Sequence, residues 1–192
     1  MHRITTGFSI YVRQYSSQPP RLFQLLFLCA VFTCVFSACS SRKKLVSAGA
    51  PPARSVASRY AEMMEVDPSD IRNGKLYRFI DEWYGTRYRL GGMDKGGVDC
   101  SAFTLMLERD VYGKTLPRVT GQQADAIKRK YEDQLEEGDL VFFDYDGRRF
   151  SHVGVYLQNG YFVHASERKG VIITRLRDPW TYKYFSRAGA VN

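Results

Sequence analysis

Apolar positions along the chain recur with a helical period in the first half and a strand period in the second. Leu76, Phe79, Ile80 and Trp83 follow i, i+3, i+4, i+7, which predicts a core-facing helix opened by Asp67-Pro68-Ser69-Asp70 and ending near Gly85. A second apolar face, Phe103, Met106, Leu107 and Val111, follows a stretch that cannot sustain a helix because it holds Gly91, Gly92, Gly96 and Gly97. Cys100 therefore falls near the first helical position, and Gly113 and Pro117 end the helix. Thr120 with Gln123 three residues on reads as a capping box for a further helix to about Tyr131. The segment from Glu132 to Gly138 reads as an acidic, exposed loop.

Beyond it lie four short β-branched and aromatic runs: Leu140 to Phe143, His152 to Leu157, Tyr161 to Ala165 and Val171 to Thr174. Asn159-Gly160 between the second and third is a strong hairpin signal, since both residues tolerate positive φ. Helices first and an antiparallel meander afterwards predict an α+β domain with the helices on one face of the sheet. No internal repeat or second domain is visible.

The N-terminus changes the picture. Its first 38 residues hold Arg3, Arg13 and Arg21 and no acid, followed by an apolar run from Leu22 to Phe36 and then Ser37-Ala38-Cys39. That is the layout of a signal sequence; Gln24 and Thr33 interrupt the run, which falls short of the ~20 apolar residues of a membrane span. Phe36-Ser37-Ala38-Cys39 resembles a lipobox, which implies lipidation of Cys39, with an ordinary secretory leader as the alternative. Ser40 after that cysteine fits sorting to the periplasmic face of the outer membrane in a bacterial envelope. The expected organisation is a leader over 1–38, a lipidated tether over 39–58 and one folded domain over 59–192.

Of four cysteines, Cys29 and Cys34 lie in the apolar run and Cys39 is the lipid site, so Cys100 is a solitary thiol in an exported protein. Removing the leader takes 28 basic residues to 25 against 20 acids, a net of +5. Such a surface suits anionic glycan or lipid head groups, and neither a basic helix nor a nucleic-acid-binding motif is present. Nucleic acid is not expected as a partner.

The domain after the tether has two histidines, His152 and His164, flanking the Asn159-Gly160 turn. Whether they share a sheet face depends on the strand register. A cysteine at a helix start meets unpaired N–H groups and the positive end of the helix dipole, which favour the thiolate. If the histidines converge on it, His152 can hold the thiol proton and His164 can orient His152. Packing explains each residue equally well alone: a buried thiol as a small apolar residue, a strand histidine as a bonded core residue. A zinc site is disfavoured because a structural site takes four ligands at close paired spacings, and here the successive gaps are 52 and 12 residues.

Val98-Asp99-Cys100-Ser101-Ala102-Phe103, Leu116-Pro117-Arg118, Gly138-Asp139-Leu140-Val141-Phe142-Phe143, Ser151-His152-Val153-Gly154-Val155-Tyr156-Leu157 and Phe162-Val163-His164-Ala165-Ser166 together resemble the NlpC/P60 family of cell-wall cysteine peptidases, in order and spacing, from about Tyr77 to Val191. The resemblance implies a papain-like α+β fold and cleavage of peptidoglycan stem peptides by a monomer without a cofactor or metal. It implies Cys100, His152 and His164 as catalytic residues, and Tyr88, Asp99 and Ser101 as shaping the substrate site. Ala102 departs from the glycine often found there. Among family members the chain looks most like the spacer-type lipoprotein endopeptidases that cut D-Ala to meso-diaminopimelate cross-links; others cut γ-D-Glu to the diamino acid, and a non-catalytic envelope-binding protein is the further alternative. Tyr88 can equally pack, Asp99 cap its helix, and Arg118 make a surface contact.

Overall fold

The computed structural model describes residues 51–192. The leader and Cys39 lie outside them, as does the tether up to residue 50.

Helix α1 spans Arg54–Met64, so the last residues of the expected tether are helical. Ala57, Tyr60, Ala61 and Met64 form its buried stripe, again at i, i+3, i+4, i+7, and burial of that stripe outweighs the polar residues between. Helix α2, Gly74–Trp83, starts later than Asp67 suggested. Asp67 instead caps a single 3-10 turn, Pro68–Asp70, while Asn73 caps α2 by accepting from Leu76 N. A two-residue hairpin, β1 (Met93–Asp94) and β2 (Gly97–Val98), leads into α3, Cys100–Leu107. A π-helical turn over Glu108–Tyr112 prolongs α3 until Gly113, at φ 69, closes it.

Helix α4 is short, Thr120–Asp125. Val119 stands at its N-cap, no side chain caps it, and the chain enters strand β3 (Ile127–Arg129) where the helix was expected to continue. Gln123 does not complete a capping box; its amide donates to the carbonyls of Ser101 and Pro117 at 2.9 and 2.8 Å, binding α4 to the start of α3. The loop before β4 is less exposed than its acidity implied: Tyr77 Oη donates to Glu137 Oε2 at 3.1 Å.

The expected strands form as β4 (Leu140–Phe143), β5 (His152–Tyr156), β6 (Tyr161–Ser166) and β7 (Gly170–Arg175). A short helix α5 (Pro179–Lys183) then precedes β8, Phe185–Val191. The six-stranded antiparallel sheet has the order β3-β8-β4-β5-β6-β7, so β8 returns between β3 and β4. Leu140, Phe142, Val153, Val155 and Val163 pack with α1, α2 and α3 in the main core. Val141, Phe143, Phe162 and Ala188 form a second apolar cluster. The expected α+β layout with helices on one face is what forms.

The β5–β6 connection sets everything downstream. Asn159 and Gly160 lie at φ 51 and 75, and Tyr161 N donates to Gln158 O at 2.9 Å, the geometry of a tight primed turn. Asn159 Nδ2 also donates to Met64 O at 2.8 Å, fastening the turn to the end of α1. Val155 pairs with Val163 and Tyr156 with Phe162, so even-numbered residues of both strands share a face. Gly154 sits on that face opposite His164; a Cβ there would meet Phe162 Cδ2 at 2.6 Å and Val163 O at 2.8 Å. Gly154→Ala is therefore expected to destabilise the domain by about 1–3 kcal/mol through overpacking. Denaturant unfolding should show a lower midpoint with an unchanged slope; an unchanged midpoint would remove the steric argument.

Candidate active site

Cys100 occupies the first position of α3, as its sequence context predicts, and Asp99 is the N-cap. The Asp99 carboxylate accepts from Ala102 N at 2.8 Å, from Gly91 N at 2.8 Å, and from Arg118 Nη1 and Nη2 at 2.9 and 2.6 Å. Burial opposes its charge, but the Arg118 guanidinium and the two N–H groups outweigh that and hold the carboxyl below its ordinary value. Ser101 Oγ joins the same group, donating to Asp99 and accepting from Arg118 Nη1 at 2.8 Å. Arg118, which sequence reasoning takes for a surface contact, thus fixes the loop before α3, the helix start and the Leu116-Pro117 turn through one carboxylate. The signal for it was the Pro117-Arg118 pair, uninformative without the fold.

The strand register answers the question left open by the sequence. His152 and His164 lie on one face, with His152 Nε2 and His164 Nδ1 2.7 Å apart and the rings edge to face at 4.9 Å between centroids. They are only 5% and 7% exposed. Phe143, Tyr145 and Phe162 enclose the pair, with Tyr145 5.4 Å from His152 and Phe162 4.9 Å from His164. Tyr145 in turn stacks on the exposed Trp180 at 5.0 Å. No periodicity or motif singled out Tyr145 or Trp180.

The thiol behaves differently from the expectation drawn from its helix position. Burial pushes the Cys100 thiol up. The Val153 N–H opposes this, the Asp99 carboxylate adds to it, and the Thr120 hydroxyl, 4.0 Å from Sγ, and the Ser101 N–H oppose it. A helix terminus contributes about 0.3–1 kcal/mol, under one pKa unit, whereas loss of hydration shifts a buried group by up to several units. Desolvation wins, and the resting group is the neutral thiol. Burial likewise presses His152 down to about 4, and presses His164 well below the ordinary imidazole value with the neighbouring His152 adding to it.

Cys100 lies beside the start of β5, where the Val153 N–H acts on its sulfur. Among the described residues no hydrogen bond joins Sγ to an imidazole, while the two imidazoles bond each other directly. His164 occupies Nε2 of His152 and leaves Nδ1 outside that bond. Tyr88 is half-buried, its hydroxyl pushed up to about 12 first by burial and then by the nearby Cys100. Of the three residues expected to shape the substrate site, Asp99 and Ser101 are buried and engaged with Arg118, and Tyr88 keeps a solvent-facing side.

The sequence profile of the NlpC/P60 family matches residues 85–189, more than half of the chain and all three candidate catalytic positions. The chain belongs to the NlpC/P60 family. Within it, the chain is 45% identical over 112 residues to a Haemophilus influenzae protein called "Probable endopeptidase NlpC homolog", covering 58% of this chain and 57% of that one. It is 40% identical over 122 residues to "Murein DD-endopeptidase MepS/Murein LD-carboxypeptidase" of Escherichia coli K12, covering 64% of each. The chain thus matches less than two thirds of the length of these curated relatives. Among solved structures it is similar to an NlpC/P60 family protein from Bacillus cereus, at TM-score 0.56 and 28% identity over 61% of this chain and 39% of that one. It is also similar to the NlpC/p60 domain of the peptidoglycan hydrolase SagA, at TM-score 0.52 and 27% identity over 60% of this chain and 96% of that one.

The buried site also sets the pH dependence of stability. The folded His152 value of about 4 lies below its ordinary 6.5, so between those values the unfolded chain binds more protons and stability falls as pH drops. Glu108, at the head of the π turn, is 1% exposed with Oε1 lacking a hydrogen-bond partner among the described residues. Burial pushes its carboxyl from 4.5 up to about 8, with Lys114 opposing and Asp139 adding. The folded state then binds the extra proton, and this contribution, full below 4.5, is lost as pH rises to 8. Denaturant titrations across this range should show both declines. Glu108→Gln should flatten the alkaline one and leave the acid one; an alkaline decline that survives the substitution would refute the assignment.

Proposed function

We propose that this protein is a peptidoglycan endopeptidase that hydrolyses a stem-peptide or cross-link amide through an acyl-enzyme on Cys100. The observation that carries this reading is the bonded His152–His164 pair at the head of β5, beside a thiol at the first position of α3. Similarity to a murein endopeptidase supports the substrate class.

In this reading His152 is the base. Since burial keeps both the thiol and the imidazole neutral, the proton passes from Sγ to His152 Nδ1 as sulfur attacks the carbonyl carbon, not before. The resulting imidazolium keeps its Nε2–H toward His164. Backbone N–H at the start of α3 faces the developing oxyanion, a well-placed donor contributing about 3 kcal/mol. His152 returns the proton to the leaving amine, and a water activated by the same imidazole releases the acyl group. Tyr88 lines the substrate side of the thiol, while Asp99 and Ser101 act by holding the wall of the site.

The D-Ala to meso-diaminopimelate cross-link is the favoured bond, in keeping with the name of the Escherichia coli relative. Lipidation at Cys39 would hold the monomeric domain at the periplasmic face of the outer membrane, within reach of the peptidoglycan.

Incubation of the protein with purified sacculi, followed by mass spectrometry of released muropeptides, tests the reading. Cross-linked dimers should convert to monomers, and Cys100→Ala should abolish the conversion. Products ending at γ-D-Glu would move the cut to the other bond, and the absence of any new muropeptide would refute hydrolysis. His152→Ala should cost about 10²–10⁴ in rate, the range of a lost general base. His164→Ala should cost less, because orientation is impaired while the base remains; equal losses would overturn that division of roles.

A further inference from the structure

The strand register that unites the histidines extends one strand further. Strand β7 pairs with β6 as Phe162↔Thr174 and His164↔Ile172, so Thr174 falls on the face that carries His152 and His164. His164 Nε2 and Thr174 Oγ1 are 3.0 Å apart. Both nitrogens of His164 are thereby engaged, one by an imidazole and one by a hydroxyl, in surroundings lined by Phe143, Tyr145 and Phe162.

The bond pattern has two self-consistent proton arrangements. In one, His152 carries its proton on Nε2 and donates to a bare His164 Nδ1, and His164 carries its proton on Nε2 and donates to Thr174. In the other, His164 is protonated on Nδ1 and donates to His152 Nε2, and Thr174 donates to the bare His164 Nε2. The first leaves His152 Nδ1 as an open acceptor. The second puts the His152 proton on Nδ1, where it blocks uptake of the thiol proton.

We propose that Thr174 is a positioning residue that selects the first arrangement by accepting from His164 Nε2–H. The hydroxyl suits the task because Thr174 is half-buried, so its own proton can point outward to water while its oxygen faces the imidazole. In the second arrangement that proton turns inward, and toward water the oxygen can then only accept. The tautomer choice is passed along two hydrogen bonds to the nitrogen that serves Cys100. During attack the thiol proton moves to His152 Nδ1, and no proton leaves His164 or Thr174. This assignment rests on the reading of Cys100 as nucleophile and His152 as base.

The test uses two readouts that require no peptidoglycan. In the full-length protein, imidazole 15N shifts should report His164 protonated at Nε2 and bare at Nδ1; a His164 proton at Nδ1 in the wild type would overturn the proposal before any variant is made. Alkylation of Cys100 by iodoacetamide, in which the sulfur–carbon bond forms, iodide departs and His152 takes the thiol proton, then measures the consequence. Thr174→Val keeps the shape and removes the acceptor. It should mix the two tautomers and slow alkylation at neutral pH, about twofold for an equal mixture and about tenfold where loss of one buried hydrogen bond leaves the first arrangement in the minority. Thr174→Ser should restore both. A Val variant with the wild-type tautomer and alkylation rate would reduce Thr174 to packing, and so would a Ser variant as slow as Val. The expected tautomer together with inert behaviour toward sacculi would instead remove the proposed hydrolysis and leave the positioning role standing.

Discussion

The site depends first on the register of β5 against β6. Residue partners across that hairpin sum to an even number, so the parity shared by His152 and His164 becomes a shared face. A one-residue slip would send one imidazole to the helix side and separate the pair. Two features prevent the slip. The turn with positive φ at Asn159 and Gly160, closed with Leu157 and Gln158 both bonded to Tyr161, carries one extra residue on the first strand and so fixes the even register, and the Asn159 amide clasps the carbonyl end of α1. The hairpin is therefore anchored to the helical layer as well as to its own ladder. The absence of a side chain at Gly154 then leaves the space that the His164 ring and Phe162 use.

Cys100 is held by a different kind of interaction. Asp99 is at once helix cap, acceptor for the Gly91 loop and partner of the Arg118 fork, so a single buried charge sets the position of the first turn of α3. Charge and geometry cooperate here: five donors, Ser101 Oγ among them, compensate a carboxylate that burial alone would neutralise. Packing of Val153, Val155 and Val163 against α3 brings this rigid turn to the sheet. The two halves of the site are consequently ordered by independent means, an ion pair on the helix side and a hairpin register on the sheet side.

Much of this was legible in the sequence, for physical reasons that also explain what was not. The Cys100 helix, the four central strands and the hairpin were visible because their apolar period and turn chemistry are local. Helix α1 was hidden although Ala57, Tyr60, Ala61 and Met64 have a helical period, since Pro51-Pro52 and the polar residues around them dominate the composition. Thr120 and Gln123 matched a capping box by residue type, yet Gln123 finds carbonyls of α3 and its preceding turn, a tertiary choice that overrides a local one. Strand β8 carries little apolar signal; its place is set by pairing with β3 and β4, where Gly189 lets the Lys128 carbonyl come close. Within the site, the three candidate catalytic residues were identifiable by type and motif. Tyr145 and Thr174 were not, and Arg118 stood in a motif without its partner being visible, because these contacts form only between segments that the fold brings together.

The protonation state of the thiol follows from the same burial that orders the site. A thiolate at a helix start needs the N-terminal field to exceed the cost of lost hydration, and with Cys100 covered it does not. His152 pays the same penalty for becoming charged, so an ion pair formed in advance would require two desolvated charges at once. A neutral thiol and a neutral imidazole avoid that cost in the resting protein. In the proposed mechanism charge develops only when an amide carbonyl arrives to carry the negative end and backbone N–H groups at the start of α3 receive it. Proton transfer is thus tied to the presence of substrate, and the orientation of two neutral rings, set by hydrogen bonds and strand register, matters more than any standing charge. With a single thiol among the described residues, that arrangement also keeps the sulfur in its less oxidisable form.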